Sequence, residues 1–193
     1  MPNFEPLQNA IPLAPLKIAA LEGCRDFANL VNSHLVDYRH LNPTHQVGNI
    51  AYQGYCEDTY LVECACPRFG SGEAKGIIRE SIRGCDLFLM VDVCNYSLTY
   101  SVCGYENHMS PDNHFQDLKR IISAANGKAR RINVIMPFLY EGRQHKRSKR
   151  ESLDCALALR ELVDMGVSNI ITFGPQDPRV QNSITLQGFD NII

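Results

Sequence analysis

The sequence predicts an α/β domain in which a mostly parallel sheet carries helices on both faces. Short apolar runs alternate with longer amphipathic stretches, which is the pattern of strands joined by crossover helices. Residues 86–93 (DLFLMVDV) are almost continuously apolar, as expected for a central parallel strand covered on both faces. The chain has 193 residues, of which 45% are hydrophobic and 21% charged, so it can bury one sizeable core. We therefore expect a single α/β domain over residues 1–193.

The first half of the chain contains one clear helix between two predicted strands. Residues 16–21 are predicted to form a strand, and residues 59–66 a second one after a polar, glycine-containing loop. Between them, apolar side chains recur every three or four residues over residues 25–41, and Asn-Pro at 42–43 ends this helix. Residues 77–82 are ambiguous between strand and turn.

The second half alternates strands and helices. Residues 94–113, rich in Tyr, Ser, Asn and Gly, are predicted to be a long loop. Asp112 or Asn113 then caps a helix that ends near residues 126–127. The remaining predicted elements are a strand over residues 131–138, a helix from Glu151 or Ser152 to Gly166, and a last strand over residues 168–173.

Cysteine usage and hydropathy predict a reduced, cytoplasmic protein. The chain contains eight cysteines, several within apolar runs, and is too large to need disulfide cross-links, so we expect mostly buried thiols. The closest pair, Cys64-Ala-Cys66, has no second pair or nearby histidine and lacks the spacing of a zinc site. No run approaches the roughly 18 to 20 apolar residues of a membrane helix, and the first five residues lack the features of a secretory signal.

A dense cationic loop follows one predicted strand. Five positive charges fall within eight residues of a chain whose formal net charge is only -2: Arg143, Lys146, Arg147, Lys149 and Arg150. Ligands of parallel α/β sheets bind beyond the carboxyl ends of the strands, so we expect a polyanionic ligand at this edge. A solvated charged loop, or a basic patch that contacts nucleic acid, remains an open alternative.

Other familiar phosphate-binding and nucleophile motifs are missing from the sequence. Neither G-x-G-x-x-G nor G-x-x-x-x-G-K-[ST] occurs, and Gly70-Ser-Gly72 lacks both the third glycine and the lysine. No G-x-S-x-G elbow is present. Ordinary dinucleotide binding, Walker-type phosphate binding and nucleophilic catalysis therefore have no support in the sequence.

Three ordered blocks resemble the amino-terminal domain of ribose-phosphate pyrophosphokinase, the phosphoribosyl pyrophosphate synthetase family. The blocks are RFGSGE at 68–73, ESIRGCD at 80–86, and VIMPFLY at 134–140 followed by Arg143-Gln144 and the basic run. They keep the family's order and nearly its spacing, over about residues 17 to 193. The resemblance is weakest over residues 40–66 and 94–114, where the chain looks longer than the family. The resemblance implies a phosphoribosyltransferase-like three-layer domain.

The resemblance also implies a function. Members of this family are transferases, kinases that move the diphosphoryl group of ATP onto ribose 5-phosphate with Mg²⁺, giving phosphoribosyl pyrophosphate for nucleotide biosynthesis. Their homo-oligomers complete each site with a neighbouring subunit. Carried over by motif, Phe69 stacks on adenine across a subunit boundary, and Ser71 and Glu73 contact the purine edge. Arg143 meets the triphosphate, and Gln144 lies beside the nucleotide.

Several positions depart from the family pattern. Ser71 stands where Asp or Asn is usual, and His145 and Ser148 replace two aspartates of the basic loop. The resemblance places a metal contact at Gln176 and Asp177, where Gln176 occupies the position of the family's histidine. Glutamine cannot ligate a metal as imidazole does, although Asp177 can supply an oxygen. Both residues also suit an ordinary turn.

None of the motifs of the family's second, catalytic domain occurs in these residues. We therefore expect the chain to be part of a longer enzyme and to be inactive alone. The alternative is a non-catalytic nucleotide-sensing or regulatory homologue, which the missing histidine and aspartates favour. A nucleic-acid binder is a third possibility that we do not expect; it predicts a steep salt dependence of oligonucleotide affinity.

Overall fold

Five parallel strands form the central sheet of the computed structural model, which describes residues 11–41, 49–175, 178–184 and 188–192. In spatial order the sheet strands are β1 (Leu16–Ala20), β4 (Asp86–Met90), β7 (Arg131–Ile135), β8 (Val167–Phe173) and β9 (Gly188–Ile192). Two antiparallel pairs lie outside the sheet: β2 (Cys64–Ala65) with β3 (Ile77–Ile78), and β5 (Thr99–Val102) with β6 (Tyr105–His108). The helices are α1 (Arg25–Leu41), α2 (Pro111–Ala125) and α3 (Asp154–Asp164). None of these helices, within the described ranges, is long and apolar enough to cross a bilayer.

Helices pack against both faces of the sheet. Helix α1 covers one face, where Ala28 packs against Met90 in one buried cluster. Helices α2 and α3 cover the other face, where Leu87 and Leu89 of β4 are fully buried. Strand β4 pairs with β1 on one side and β7 on the other, both in parallel. This arrangement confirms the predicted fold class and the central position predicted for residues 86–93.

Helix α2 begins earlier than the sequence predicted. Its N-cap is Ser110, whose hydroxyl accepts a hydrogen bond from the backbone N–H of Asn113 at 3.3 Å, and Pro111 follows in the first turn. The predicted caps, Asp112 and Asn113, are therefore already inside the helix. Serine at the cap and proline at the next position are both favoured because the first helical N–H groups have no partner within the helix. The helix ends as predicted at Asn126, which adopts the left-handed conformation with φ 47°.

Residues 59–66 form less of a strand than predicted. The N–H of Ile18 donates to the carbonyl of Tyr60 at 2.8 Å, and the N–H of Val62 donates to the carbonyl of Ile18 at 2.8 Å. This short parallel contact lies along the free edge of β1 and buries Tyr60 completely. The chain then leaves β1 to pair with β3, so a continuous strand does not form.

Two predictions about the connections were wrong. Residues 94–113, predicted as a loop, contain the β5–β6 hairpin, whose turn residues Cys103 and Gly104 both have positive φ. All four residues of β6 are exposed, so no apolar alternation marks that strand in the sequence. Residues 168–173 do not form the last strand, because β9 extends the sheet beyond β8. None of the residues of β9 is buried, which again removes the sequence signal.

A row of polar side chains crosses the sheet near the amino ends of three strands. Asp86 of β4 accepts two hydrogen bonds from the guanidinium of Arg131, with Nε at 2.9 Å and Nη2 at 2.5 Å. Asn133 donates to the same carboxylate at 2.7 Å, and Asn169 donates to the Asn133 side-chain oxygen at 2.6 Å. Because buried polar groups are costly when unpaired, this row is satisfied only by neighbouring strands in the correct register.

Candidate functional site

Phe69 lies on a tight hairpin formed by residues 68–74, which we call the Phe69 hairpin. Arg68 and Ala74 pair across it, the N–H of Phe69 donates to the carbonyl of Glu73 at 2.7 Å, and the N–H of Gly72 donates back to Phe69 at 2.8 Å. Gly72 has φ 90°, a conformation that side chains disfavour. On this hairpin Phe69 is 52% exposed, so part of its surface is accessible to a ligand or partner.

Ser71 and Glu73 occupy the same hairpin and contact each other. The Ser71 hydroxyl donates to the Glu73 carboxylate at 3.0 Å, and both residues are exposed. An exposed carboxylate next to an exposed aromatic ring can accept hydrogen bonds from a ligand that stacks on the ring. These two side chains and Phe69 thus lie on one hairpin, and their contact with a purine stays a prediction.

One ion pair anchors the base of the Phe69 hairpin to α2, and a second pair within α2 shares its carboxylate. Arg68 donates to the Asp117 carboxylate at 2.7 Å, and Arg120 donates to its other oxygen at 2.6 Å. Burial raises the pKa of Asp117 above its usual value, and the hydrogen bond from Arg120 and the charge of Arg68 offset part of that effect. Sequence reasoning missed Asp117, because it lies far from Arg68 along the chain and nothing local to it indicates a pair.

The β5–β6 hairpin braces the Phe69 hairpin from the other side. The N–H of Cys103 donates to the carbonyl of Gly70 at 2.9 Å. The Tyr100 ring lies under the Arg68 guanidinium, 5.0 Å from the ring centroid. A Cβ added to Gly72 would lie 3.0 Å from the Val102 side chain, so the two hairpins are in close contact. The segment predicted as a loop therefore supports the predicted aromatic site.

Arg143 and Gln144 lie on a turn beyond the carboxyl end of β7. The N–H of Gly142 donates to the backbone carbonyl of Leu139 at 3.0 Å, and the N–H of Gln144 donates to the backbone carbonyl of Glu141 at 2.8 Å. Glu141 adopts a positive φ of 53° in this turn. Arg143 is exposed. Its charge reaches the thiol of Cys94, which follows β4. Burial and Asp92 raise the pKa of Cys94, and the charge of Arg143 opposes them.

Tyr140 connects this turn to α2. Its ring stacks on Phe115 with centroids 4.2 Å apart, and its hydroxyl donates to the Asp112 carboxylate at 2.7 Å. Burial, together with that hydrogen bond, raises the pKa of Tyr140, so the phenol stays protonated and continues to donate. The base of the cationic loop is therefore fixed in position.

The cations of the loop are exposed and have no salt-bridge partner in the described part of the chain; they are Arg143, Lys146, Arg147, Lys149 and Arg150. Glu151, the nearest acidic residue, instead accepts hydrogen bonds from the N–H and hydroxyl of Ser148, at 3.2 and 2.9 Å. Those bonds lower the pKa of Glu151. The loop thus offers a local concentration of positive charge that no salt bridge offsets within the described ranges.

The Phe69 hairpin and the Arg143 turn do not line one shared cavity beside Phe69. The cavity next to this ring has a volume of about 520 Å³, and its described walls include Arg68 and Phe69 but neither Arg143 nor Gln144. This cavity alone therefore cannot hold a ligand that stacks on Phe69 and contacts Arg143 with its phosphates.

No group of three or more His, Cys, Asp or Glu side chains is arranged for a metal ion within the described ranges. The predicted metal contacts, Gln176 and Asp177, lie outside the described residues. Cys64 and Cys66 are free thiols, and burial raises their pKa to about 11 and about 12, so both are protonated near neutral pH. A protonated thiol is neither a metal ligand nor a nucleophile of useful strength.

Five parallel strands with helices on both faces, and an exposed cationic loop beyond one strand end, define an α/β domain. The sequence profile described as the N-terminal domain of ribose phosphate pyrophosphokinase matches residues 16–166. The chain therefore belongs to the ribose-phosphate pyrophosphokinase family through that domain.

Named relatives and one solved structure agree with this assignment. The chain is 29% identical over 123 residues to the ribose-phosphate pyrophosphokinase of Corynebacterium ammoniagenes, covering 63% of this chain and 34% of that protein. It is 28% identical over 138 residues to ribose-phosphate pyrophosphokinase B of Dictyostelium discoideum, covering 71% and 36%. The crystal structure of phosphoribosylpyrophosphate synthetase from Mycobacterium smegmatis has the same fold, with a TM-score of 0.69, 19% identity, and coverage of 92% of this chain and 48% of that one. The matches thus span about a third of the length of these curated relatives.

Proposed function

We propose that this chain is the nucleotide-binding domain of a cytoplasmic, homo-oligomeric ribose-phosphate pyrophosphokinase that acts in nucleotide biosynthesis. The reaction would transfer the diphosphoryl group of ATP to ribose 5-phosphate. The observation that carries the proposal is the turn beyond β7, which presents Arg143 among five exposed cations without salt-bridge partners in the described ranges. The family match adds that this turn belongs to a domain of such enzymes.

In this proposal Arg143 binds the triphosphate and Gln144 lies beside the nucleotide. A guanidinium suits phosphate because its planar fork donates two parallel hydrogen bonds. Phe69 would stack on the adenine bound by a neighbouring subunit, since its hairpin and the Arg143 turn line no common cavity beside the ring. Ser71 and Glu73 would then contact the purine edge.

Mg²⁺ would reach this site with the ATP phosphates. Magnesium in such sites takes one or two carboxylates, with phosphates and water as its other ligands, so a protein cluster of three ligands is not required. Asp177 is the candidate carboxylate and Gln176 a weaker contact. When bound, the metal would neutralise phosphate charge during transfer.

Replacing Arg143 by alanine should weaken Mg-ATP binding roughly tenfold to a hundredfold, the cost of one charge-assisted hydrogen-bonded contact. Isothermal titration of the chain with Mg-ATP measures this change. Arg160→Ala is the matched control, because it removes an exposed arginine from α3, away from the turn. Equal affinity for wild type and Arg143→Ala would contradict phosphate binding at this turn.

Replacing Phe69 by alanine should also weaken ATP binding, by about tenfold, because stacking on a base contributes roughly 1–3 kcal/mol. Phe27→Ala is the control, since it removes a partly exposed phenylalanine from α1. If two subunits build one site, a mixture of Phe69→Ala and Arg143→Ala chains should regain part of the lost binding, because some interfaces carry both native residues. No recovery in an oligomeric mixture would place both side chains in the same subunit's site.

The second candidate is a nucleotide-sensing homologue without catalysis. It is favoured by Gln176 in place of the family's metal histidine, and by the loss of two loop aspartates at His145 and Ser148. Formation of phosphoribosyl pyrophosphate by the full-length protein distinguishes the two candidates.

A further inference from the structure

The cavity beside the Phe69 hairpin has the size and walls of a small-molecule site. Its volume of about 520 Å³ falls within the range of about 300–1,000 Å³ that is usual for such sites. It lies between the Phe69 hairpin, the β5–β6 hairpin and α2. Leu98, Met109 and Ile121 supply apolar walls, and Tyr100 supplies an aromatic one. A ligand here would be enclosed mainly by apolar and aromatic side chains.

One cation at the wall of this cavity lacks full compensation. The Arg68 side chain is only 12% exposed. Arg68 and Arg120 share the single carboxylate of Asp117, so the three groups together carry one positive charge. Arg68 and Asp117 both line the cavity, as does the pair of Arg25 and Glu22, whereas Arg120 does not.

Arg68 also has hydrogen-bonding capacity to spare. A guanidinium has five N–H donors, and within the described ranges the Arg68 side chain donates only to Asp117. Its planar group rests 5.0 Å from the centre of the Tyr100 ring, which holds it at the wall. The remaining donors suit the two oxygens of a carboxylate or phosphate.

We propose that this cavity binds a small planar ring carrying one anionic group. The anionic group pairs with Arg68, and the ring lies among Leu98, Met109 and Ile121. The single net charge of the Arg68, Arg120 and Asp117 group matches a monoanion. The site is separate from the proposed phosphate contact at Arg143, which does not line the cavity, but it shares Phe69 with the proposed adenine contact. Its occupant would contact both hairpins and brace them together.

The test uses three probes of one shape in ¹H–¹⁵N NMR titrations of the chain: benzoate, phenyl phosphate and the neutral benzamide. Benzoate should shift the backbone signals of Arg68, Tyr100 and Asp117, and bind at least about tenfold more tightly than benzamide. The comparison of benzoate with phenyl phosphate identifies which anionic group the site prefers. Equal binding of benzamide and benzoate would overturn the role of charge.

Two arginine variants separate the cavity from its surroundings. Arg68→Met should weaken benzoate binding at least about tenfold, whereas Arg120→Met should weaken it less, because Arg120 does not line the cavity and contributes only through its charge. If Arg68→Met does not fold, Arg68→Lys keeps the charge, loses the planar fork, and should still bind benzoate several-fold more weakly. Undiminished binding in the folded Arg68 variant would overturn the proposal.

Competition with ATP distinguishes this site from the proposed function. Saturating Mg-ATP should leave the benzoate-induced shifts in place. If Mg-ATP displaces benzoate, the cavity is part of the nucleotide site and the separate site is rejected. If the chain fails to bind ATP while benzoate still binds as described, the proposed function fails and the cavity site stands.

Discussion

Replacing Asp86 by alanine is expected to lower the free energy of unfolding of this chain by about 3 kcal/mol. Asp86 is 8% exposed and pairs with Arg131 through two hydrogen bonds, and the buried Asn133 donates to the same carboxylate. Removing one partner of a buried pair costs about 3–5 kcal/mol, because the other partner is left without compensation. The Arg131 side chain is 35% exposed and can turn towards water, which places the loss at the low end. Urea unfolding followed by circular dichroism measures it.

Glu63→Ala is the matched control for this prediction. Glu63 pairs with Arg79 at 2.8 Å, but the two side chains are 60% and 55% exposed. An exposed ion pair typically contributes about 0–1 kcal/mol, so the loss should stay within that range. Equal losses for Asp86→Ala and Glu63→Ala would show that the polar row across the sheet does not stabilise the fold.

Replacing Gly76 by alanine is expected to destabilise the chain by about 3 kcal/mol, the upper end of the usual cost of overpacking. A Cβ at this position would lie 2.3 Å from the backbone carbonyl oxygen of Arg120 and 2.5 Å from its carbonyl carbon. These atoms belong to the backbone of α2 and cannot move aside by a rotamer change. Either the segment before β3 or the helix must shift. Thermal and urea unfolding both report the loss.

Gly70→Ala is the control, because a Cβ there meets no heavy atom within 4 Å. Its effect should stay within about 0.5 kcal/mol, as for surface substitutions in general. A shift of α2 in the Gly76 variant would also move Arg120 and Asp117 relative to Arg68. The Gly76 variant should therefore disturb the Phe69 hairpin as well, which NMR signals of Phe69 and Gly70 can detect. An unchanged stability in Gly76→Ala would contradict the close packing of this segment on α2.

Apolar periodicity predicted the elements that bury a face. Apolar side chains recur with helical spacing over residues 25–41, and α1 spans Arg25–Leu41. The nearly continuous apolar run at residues 86–93 predicted β4, a strand with neighbours on both sides. Elements without a buried face escaped prediction: β6 is fully exposed and β9 has no buried residue. Apolar periodicity arises because one face of an element is buried, so it gives no signal for an element that buries little.

The candidate site divides in the same way. The family resemblance predicted Phe69, Ser71, Glu73, Arg143 and Gln144 as site residues, because each lies within a short local block. The contacts that hold these residues in place could not be predicted from local blocks. Arg68 and Asp117 are 49 residues apart, and Tyr140 and Asp112 are 28 apart. No local pattern encodes contacts at such separations.

The amino-acid sequence by itself determined the fold class, the family and the position of the cationic loop, because these depend on local spacing and on charge close together in the chain. Only the tertiary structure decided that the β5–β6 hairpin braces Phe69, that one carboxylate holds two arginines, and that a cavity opens beside Arg68. Those features depend on which distant segments the packed sheet and helices bring into contact, and packing of that kind is a property of the whole chain.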